Sequence, residues 1–212
     1  MNPLDAHDIV ATLGTVGVLA VLFIETGLLI GLVLPGDSLL FVAGIAASGT
    51  AKEVFGQQLS YQQLMIFAPL AAIAGSQCGH WLGQKYGRPF FERPNSRIFN
   101  QEKVRQTERW FNRYGLGKAL VLSHFIPIVR TLINPLCGII GVSARKFFLW
   151  NVIGSYVWTV GLISGGFLLG EKLKGSVDKY LLPIVGLIII LSLIPIFIEF
   201  WREGMRSKDL DR

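Results

Sequence analysis

Residues 119–144 read ALVLSHFIPIVRTLINPLCGIIGVSA, an apolar stretch interrupted by His124 and Arg130 and carrying Pro127 and Pro135. A helix that crosses the hydrocarbon core of a bilayer takes about 20 apolar residues. This run is therefore too long for one comfortable span and too short for two. Proline removes a backbone donor and disturbs a helix that tries to pass through it. A hairpin that enters and leaves on the same side accommodates both the length and the breaks. Non-helical backbone at that depth needs protein or a water-filled cavity around it.

Upstream, residues 10–51 repeat the pattern. They are apolar except for Glu25 and Asp37 and are interrupted at Leu34-Pro35-Gly36, where proline and glycine together undo a helix. The segment reads as a first broken hairpin, with a first helix that crosses completely as the other reading. Between and after these two segments, residues 64–82, 147–170 and 180–198 contain no Asp, Glu, Lys or Arg. Lipid-exposed backbone must satisfy its own hydrogen bonds, so these runs read as spanning helices rather than strands. The whole is an all-α membrane fold in one domain, with about three full transmembrane helices and two re-entrant hairpins. Its parts are 10–51, 64–82, a loop at 84–118, 119–144, 147–170, 180–201 and a tail at 202–212.

Composition agrees. The chain has 212 residues, 51% hydrophobic and 16% charged, with mean hydropathy +0.51. That is more apolar surface than one small soluble core can hide. The formal charge of +6 suits an anionic membrane surface as well as it suits nucleic acid, and its distribution separates the two. Nine basic residues crowd into 84–118, namely Lys85, Arg88, Arg93, Arg97, Lys103, Arg105, Arg109, Arg113 and Lys118, against Glu92, Glu102 and Glu108. By the positive-inside rule this loop is cytoplasmic, and so is the tail with Arg202, Arg206, Lys208 and Arg212. The aromatics Trp110, Phe111 and Tyr114 then belong to an interfacial helix and not to a nucleic-acid patch. The first hairpin would enter from outside and the second from the cytoplasm, the opposed arrangement of many secondary transporters.

Cys78 and Cys137 each lie in an apolar run and read as small buried hydrophobes. No disulfide framework, metal spacing or cofactor motif is present. The segment before residue 9 carries Asp5 and Asp8 without Lys or Arg, so it lacks a signal-type positive region and is expected to be retained.

Glu25, Asp37 and Arg130 remain as charges inside apolar segments. One such charge at a helix centre costs about 2.5–3.5 kcal/mol, so the three must be paired or wet. With both acids ionised they leave one excess negative charge, which a proton would neutralise. Asp37 also suits the N-cap of a half-helix; Arg130 also suits a structural ion pair or a phosphate clamp, given its planar fork of donors. His124 reads either as a buried imidazole held by a carbonyl or as a proton-handling group, its ordinary pKa being about 6.5. His80 reads as interfacial packing.

Taken together, Phe23-Ile24-Glu25-Thr26-Gly27, Leu34-Pro35-Gly36-Asp37-Ser38-Leu39-Leu40-Phe41 and Phe125-Ile126-Pro127-Ile128-Val129-Arg130-Thr131 resemble the hallmark segments of the DedA family, also described as the SNARE-associated Golgi or VTT domain. The likeness runs from about residue 15 to residue 200, and Arg93-Pro94-Asn95-Ser96-Arg97-Ile98-Phe99 places it near the bacterial branch. The resemblance implies a multi-pass protein of the bacterial inner membrane, with two opposed re-entrant hairpins and an essential acidic pair that falls on Glu25 and Asp37. Of two arginines that flank the family's Phe-x-Pro segment, the second falls on Arg130 and the first on His124, which titrates where arginine does not. The family's Gly-Asp with a tyrosine four residues on appears here as Gly75-Ser76 and His80, so no site is carried to those positions.

The function so implied is transport and not enzymatic catalysis. The expected substrate is a polyprenyl phosphate such as undecaprenyl phosphate, moved with coupling to protons, and the site is Glu25, Asp37, Arg130 and His124. Membrane lipids, the lipid phosphate and protons are the expected partners; nucleic acid is not, and self-association stays open. The rival readings are a proton-coupled antiporter of small cations or drugs, an intramembrane enzyme such as a lipid phosphatase, and an assembly protein that transports nothing.

Overall fold

The computed structural model describes residues 6–28, 36–91 and 113–172, together with 109 and 111. The expected span at 180–201, the tail at 202–212 and much of the basic loop at 84–118 lie outside the described residues. Among the described residues all regular structure is helical. The helices are α1 (Ala6–Gly27), α2 (Gly36–Ala46), α3 (Ala51–Phe55), α4 (Tyr61–Phe91), α5 (Leu116–Ser123), α6 (Pro127–Ile139) and α7 (Ala144–Lys172).

Length sorts them into two kinds. At about 1.5 Å per residue, α4 and α7, of 31 and 29 residues, reach about 46 and 43 Å, while α1, of 22 residues, is kinked at Gly14 (φ 57°, ψ −146°). By the same measure α5 and α6, of 8 and 13 residues, reach only about 12 and 20 Å, short of the ~30 Å core. Among the described residues two helices are both long and apolar enough to cross a membrane, over Ile9–Gly27 and Ala144–Lys172, with mean hydropathies of 2.1 and 1.6. The expected span at 64–82 lies within α4, which has the length but is less apolar because Ser76, Gln77 and His80 sit in it. That helix also continues past Leu82 to Phe91, through positions 85 and 88. Charge marked the membrane boundary there, not the end of the helix.

The two prolines of the second hairpin behave differently from one another. Pro127 opens α6 at its first turn, where no N–H is needed, and Ile126 before it is extended (φ −119°, ψ 104°). Pro135 sits inside α6 without ending it, contrary to its reading as a break. The helix ends instead at Gly141, whose φ of +80° lets the Val142 N–H reach back to Cys137 O at 2.9 Å, closing the last carbonyls.

The long helices carry apolar residues on their outer faces as well as in the core. On α7, Leu149, Ile153, Tyr156, Val157 and Leu168 face outward, while the polar Asn151, Ser155 and Thr159 are fully buried. Leu13 and Val16 on α1, and Ile66, Phe67 and Leu70 on α4, also face outward. Exposed apolar rows of this kind suit a lipid-facing surface.

Neighbouring segments are tied to α4 at both of its ends. Near the start of α4, Gln57 Nε2 donates to Val10 O and Ala11 O at 2.6 and 3.0 Å. The Leu59 N–H donates to Ala46 O at 2.8 Å, so one short segment holds both the start of α1 and the end of α2. At the other end, backbone of Pro135 lies against Gly83, the side chain of Ile139 lies against Gly87, and His80 Nε2 donates to Val142 O at 2.8 Å. The start of α4 therefore sits beside α1 and α2, and its other end beside α6.

Glycine makes the closest of these approaches. A Cβ on Gly44 would strike Ile163 O and one on Gly166 would strike Phe41 O, so α2 and α7 meet backbone to backbone. Gly166→Leu is expected to cost about 1–3 kcal/mol by overpacking, read as a lower unfolding temperature in detergent. Gly161→Leu, where nothing lies near, serves as the control and should leave that temperature unchanged.

Candidate functional site

Three charged side chains, from α1, α2 and α6, converge. Glu25 comes from the last turn of α1, where the negative end of the helix dipole disfavours another negative charge. Asp37 lies in the first turn of α2, where the positive end favours it. Arg130 comes from the first turn of α6, whose N–H bonds back to Ile126 O at 2.8 Å.

The guanidinium sits between the acids. Arg130 Nη2 donates to Glu25 Oε1 at 2.5 Å, and Nη1 donates to Asp37 Oδ1 at 2.7 Å and to His124 O at 3.3 Å. The Arg130 and Glu25 side chains are 3% and 2% exposed, whereas Asp37 is 26% exposed. Asp37 is thus the member through which the cluster meets its surroundings. Its carboxylate is drawn sideways to Arg130, so that being placed at a helix start is only part of what it does.

Each acid meets the guanidinium through one oxygen, not as a bidentate fork. Glu25 Oε2 and Arg130 Nε, both buried, have no hydrogen-bond partner among the described residues. A buried ionic network left partly unsatisfied is worse for stability than an apolar core, which is the mark of a group kept for what it does. Gly36 makes the arrangement fit, because a Cβ there would collide with the Glu25 carboxylate.

Trp158 on α7 completes the cluster, and sequence reasoning missed it. Its indole N–H donates to Asp37 Oδ1 at 2.7 Å, and the Arg130 guanidinium lies 4.0 Å from its ring centroid, a cation–π distance. The 147–170 run held no charge and so read as a plain span. A tryptophan within it, away from the interfacial belts where this residue is enriched, was the signal available.

His124 occupies the break between α5 and α6. Its carbonyl faces Arg130, while its imidazole engages α7. Nδ1 lies 2.8 Å from Leu120 O, which can only accept, so Nδ1 carries the hydrogen. Nε2 lies 3.1 Å from Ser155 Oγ and 3.3 Å from Asn151 Oδ1. A neutral ring accepts from the serine hydroxyl, and a charged one donates to the amide oxygen. Gly154 leaves room for the ring, since a Cβ there would press on Nδ1.

His80 is buried rather than interfacial. Its ring stacks on Phe147 at 4.6 Å and 24°. Asn134 Nδ2 donates to Thr26 O at 2.9 Å, a further tie between α6 and α1 beside the ion cluster. Cys137 is buried and Cys78 half-buried, both as free thiols.

Comparison with known proteins follows the same chain. The VTT domain model matches residues 12–168. The chain is 36% identical over 206 residues to Protein DedA of Escherichia coli (strain K12), covering 94% of this chain and 90% of that protein. It is 30% identical over 192 residues to an uncharacterized membrane protein of Mycobacterium leprae (strain TN), covering 90% and 80%. It is also 26% identical over 188 residues to Inner membrane protein YqjA of Escherichia coli (strain K12), covering 86% and 82%. No solved structure matches the chain significantly.

Proposed function

Since this chain belongs to the VTT-domain, or DedA, family of membrane proteins, we propose that it is a transporter that moves a lipid phosphate such as undecaprenyl phosphate between the leaflets of the bacterial inner membrane, coupled to protons. The observation that carries this reading is one buried guanidinium shared by two carboxylates from two different helices.

The mechanism follows from charge. Arg130 with ionised Glu25 and Asp37 carries one excess negative charge, so a phosphate anion is repelled until a carboxylate lets go. Protonation of Glu25 or Asp37 frees one edge of the guanidinium, which matches phosphate oxygens as well as it matches carboxylate. Anion and proton therefore arrive together, and the prenyl tail stays in lipid alongside the outward apolar faces. In this reading the two helix pairs are re-entrant hairpins that alternate in exposure around the cluster.

Orientation follows from the basic residues. Lys85, Arg113, Lys118, Arg145 and Lys146 belong to the end where α4 finishes and α5 and α7 begin. There Lys85 lies 4.9 Å from the Trp81 ring and 5.1 Å from the Tyr86 ring, an interfacial grouping of bases and aromatics. That end is the cytoplasmic one under the positive-inside rule.

The pairing also favours a second reading, in which the ion cluster only fastens α1 and α2 to α6 and nothing is carried. Liposomes decide between them. Purified protein should speed the movement of polyprenyl phosphate between leaflets above the rate in protein-free liposomes. Equal rates end the transport reading.

A further inference from the structure

One face of α7 runs from the ion cluster toward the basic end. Phe147, Asn151, Ser155 and Trp158 are all buried on it and lie at helical spacing, about 16 Å from first to last at ~1.5 Å per residue. At one end Trp158 holds Asp37. In the middle Ser155 and Asn151 hold the His124 ring. At the other end Phe147 stacks on His80.

A face of α4 runs alongside. Ile73, Ser76, Gln77 and His80 share one side of that helix by the same spacing. Asn151 Nδ2 donates to Ile73 O at 3.3 Å, which ties the two faces at mid-height, and the His80–Phe147 stack ties them below. On this side of α4 three buried polar atoms, Ser76 Oγ, Gln77 Oε1 and His80 Nδ1, have no hydrogen-bond partner among the described residues. The remaining unpartnered buried atoms among the described residues, Glu25 Oε2 and Arg130 Nε, lie in the ion cluster at the far end.

Buried polar groups nearly always find a partner. Groups that find none in the protein, in a polar seam, bind ordered water, which needs only two to four such partners. An ion is the poorer occupant, because the seam offers neutral hydroxyl, amide and imidazole groups and no carboxylate to offset its desolvation. We propose that the seam between α4 and α7, lined by His80, Ser76, Gln77, Asn151 and Ser155, holds internal water and gives protons access from the basic end of the molecule to the Glu25–Arg130–Asp37 cluster. The geometry stands by itself; the purpose assigned to it rests on the proton-coupled reading above.

Two neighbouring phenylalanines report on the water. Phe147 is fully buried, whereas Phe148 is 45% exposed on the apolar outer face. In nanodiscs, hydroxyl radicals generated from water by X-rays oxidise side chains that touch water. Phe147 should oxidise several-fold faster than Phe148, the reverse of their exposure, and Ser76→Ala or Ser76→Val should bring it down to the Phe148 rate. Oxidation of Phe147 no faster than Phe148, or unaffected by both variants, overturns the seam. In liposomes Ser76→Val should slow proton-driven movement of polyprenyl phosphate by about tenfold, the scale of one lost hydrogen bond, while its binding in detergent stays unchanged. Unchanged movement overturns the assigned role. The footprint uses no substrate, so a dry seam and a failed transport reading are told apart.

Discussion

Arg130→Met is expected to leave little folded protein. The substitution keeps an apolar stem of similar length but strands Glu25, which is almost fully buried, and Asp37, which is partly so, without their counter-charge. Breaking a buried ion pair from one side costs about 3–5 kcal/mol, a large share of the 5–15 kcal/mol that holds a typical domain together. The triple variant Glu25→Gln, Asp37→Asn, Arg130→Met removes all three charges and should recover most of that stability, because a neutral cluster of the same shape has no stranded charge. Unfolding temperature in detergent measures both. The triple variant should nevertheless move no lipid phosphate. If it restores function in cells that lack the wild-type protein, the cluster is a fastening and not a site.

Glu25→Gln is expected to separate binding from transport. The amide oxygen still accepts from Arg130 Nη2, so the bond to α6 and the fold are kept. The cluster changes from one excess negative charge to neutrality, and position 25 can no longer exchange a proton. Proton-driven movement of polyprenyl phosphate in liposomes should fall by about a hundredfold, or ~2.7 kcal/mol at 1.36 kcal/mol per factor of ten. Binding in detergent should survive or tighten. Loss of binding together with transport would place Glu25 in lipid recognition instead.

The charges were legible in the sequence because nothing else in those runs competes with them. Glu25, Asp37 and Arg130 stand alone in apolar segments, and the cost of burying each implies a partner before any geometry is known. The length of the uncharged runs at 64–82 and 147–170 marked α4 and α7 as helices. What was not legible came from groups whose chemistry is ordinary until something packs on it. Trp158 and Asn151 lie in an uncharged run, where an indole or an amide looks like part of a span. Pro135 read as a break, but only Pro127 starts a helix, since proline's effect depends on where along the helix it falls. Lys85 and Arg88 marked the start of a loop on charge alone, yet α4 runs through them to Phe91. His124 was marked by its place in the hairpin, while the Ser155 and Asn151 groups that hold it could be found only in three dimensions.

The central claim is that one guanidinium is held by two carboxylates and is released to a phosphate when one of them takes a proton. Direct binding of polyprenyl phosphate to wild type and to Glu25→Gln, at about pH 5.5 and about pH 7.5 on either side of the ordinary imidazole range, tests it. The phosphate's own ionisation acts equally on both proteins and cancels in their ratio. The predicted result is wild-type binding that strengthens at the lower pH toward that of the variant and falls well below it at the higher. Affinities that stay in constant ratio at the two pH values, or wild-type protein that binds no polyprenyl phosphate at either, would contradict the claim.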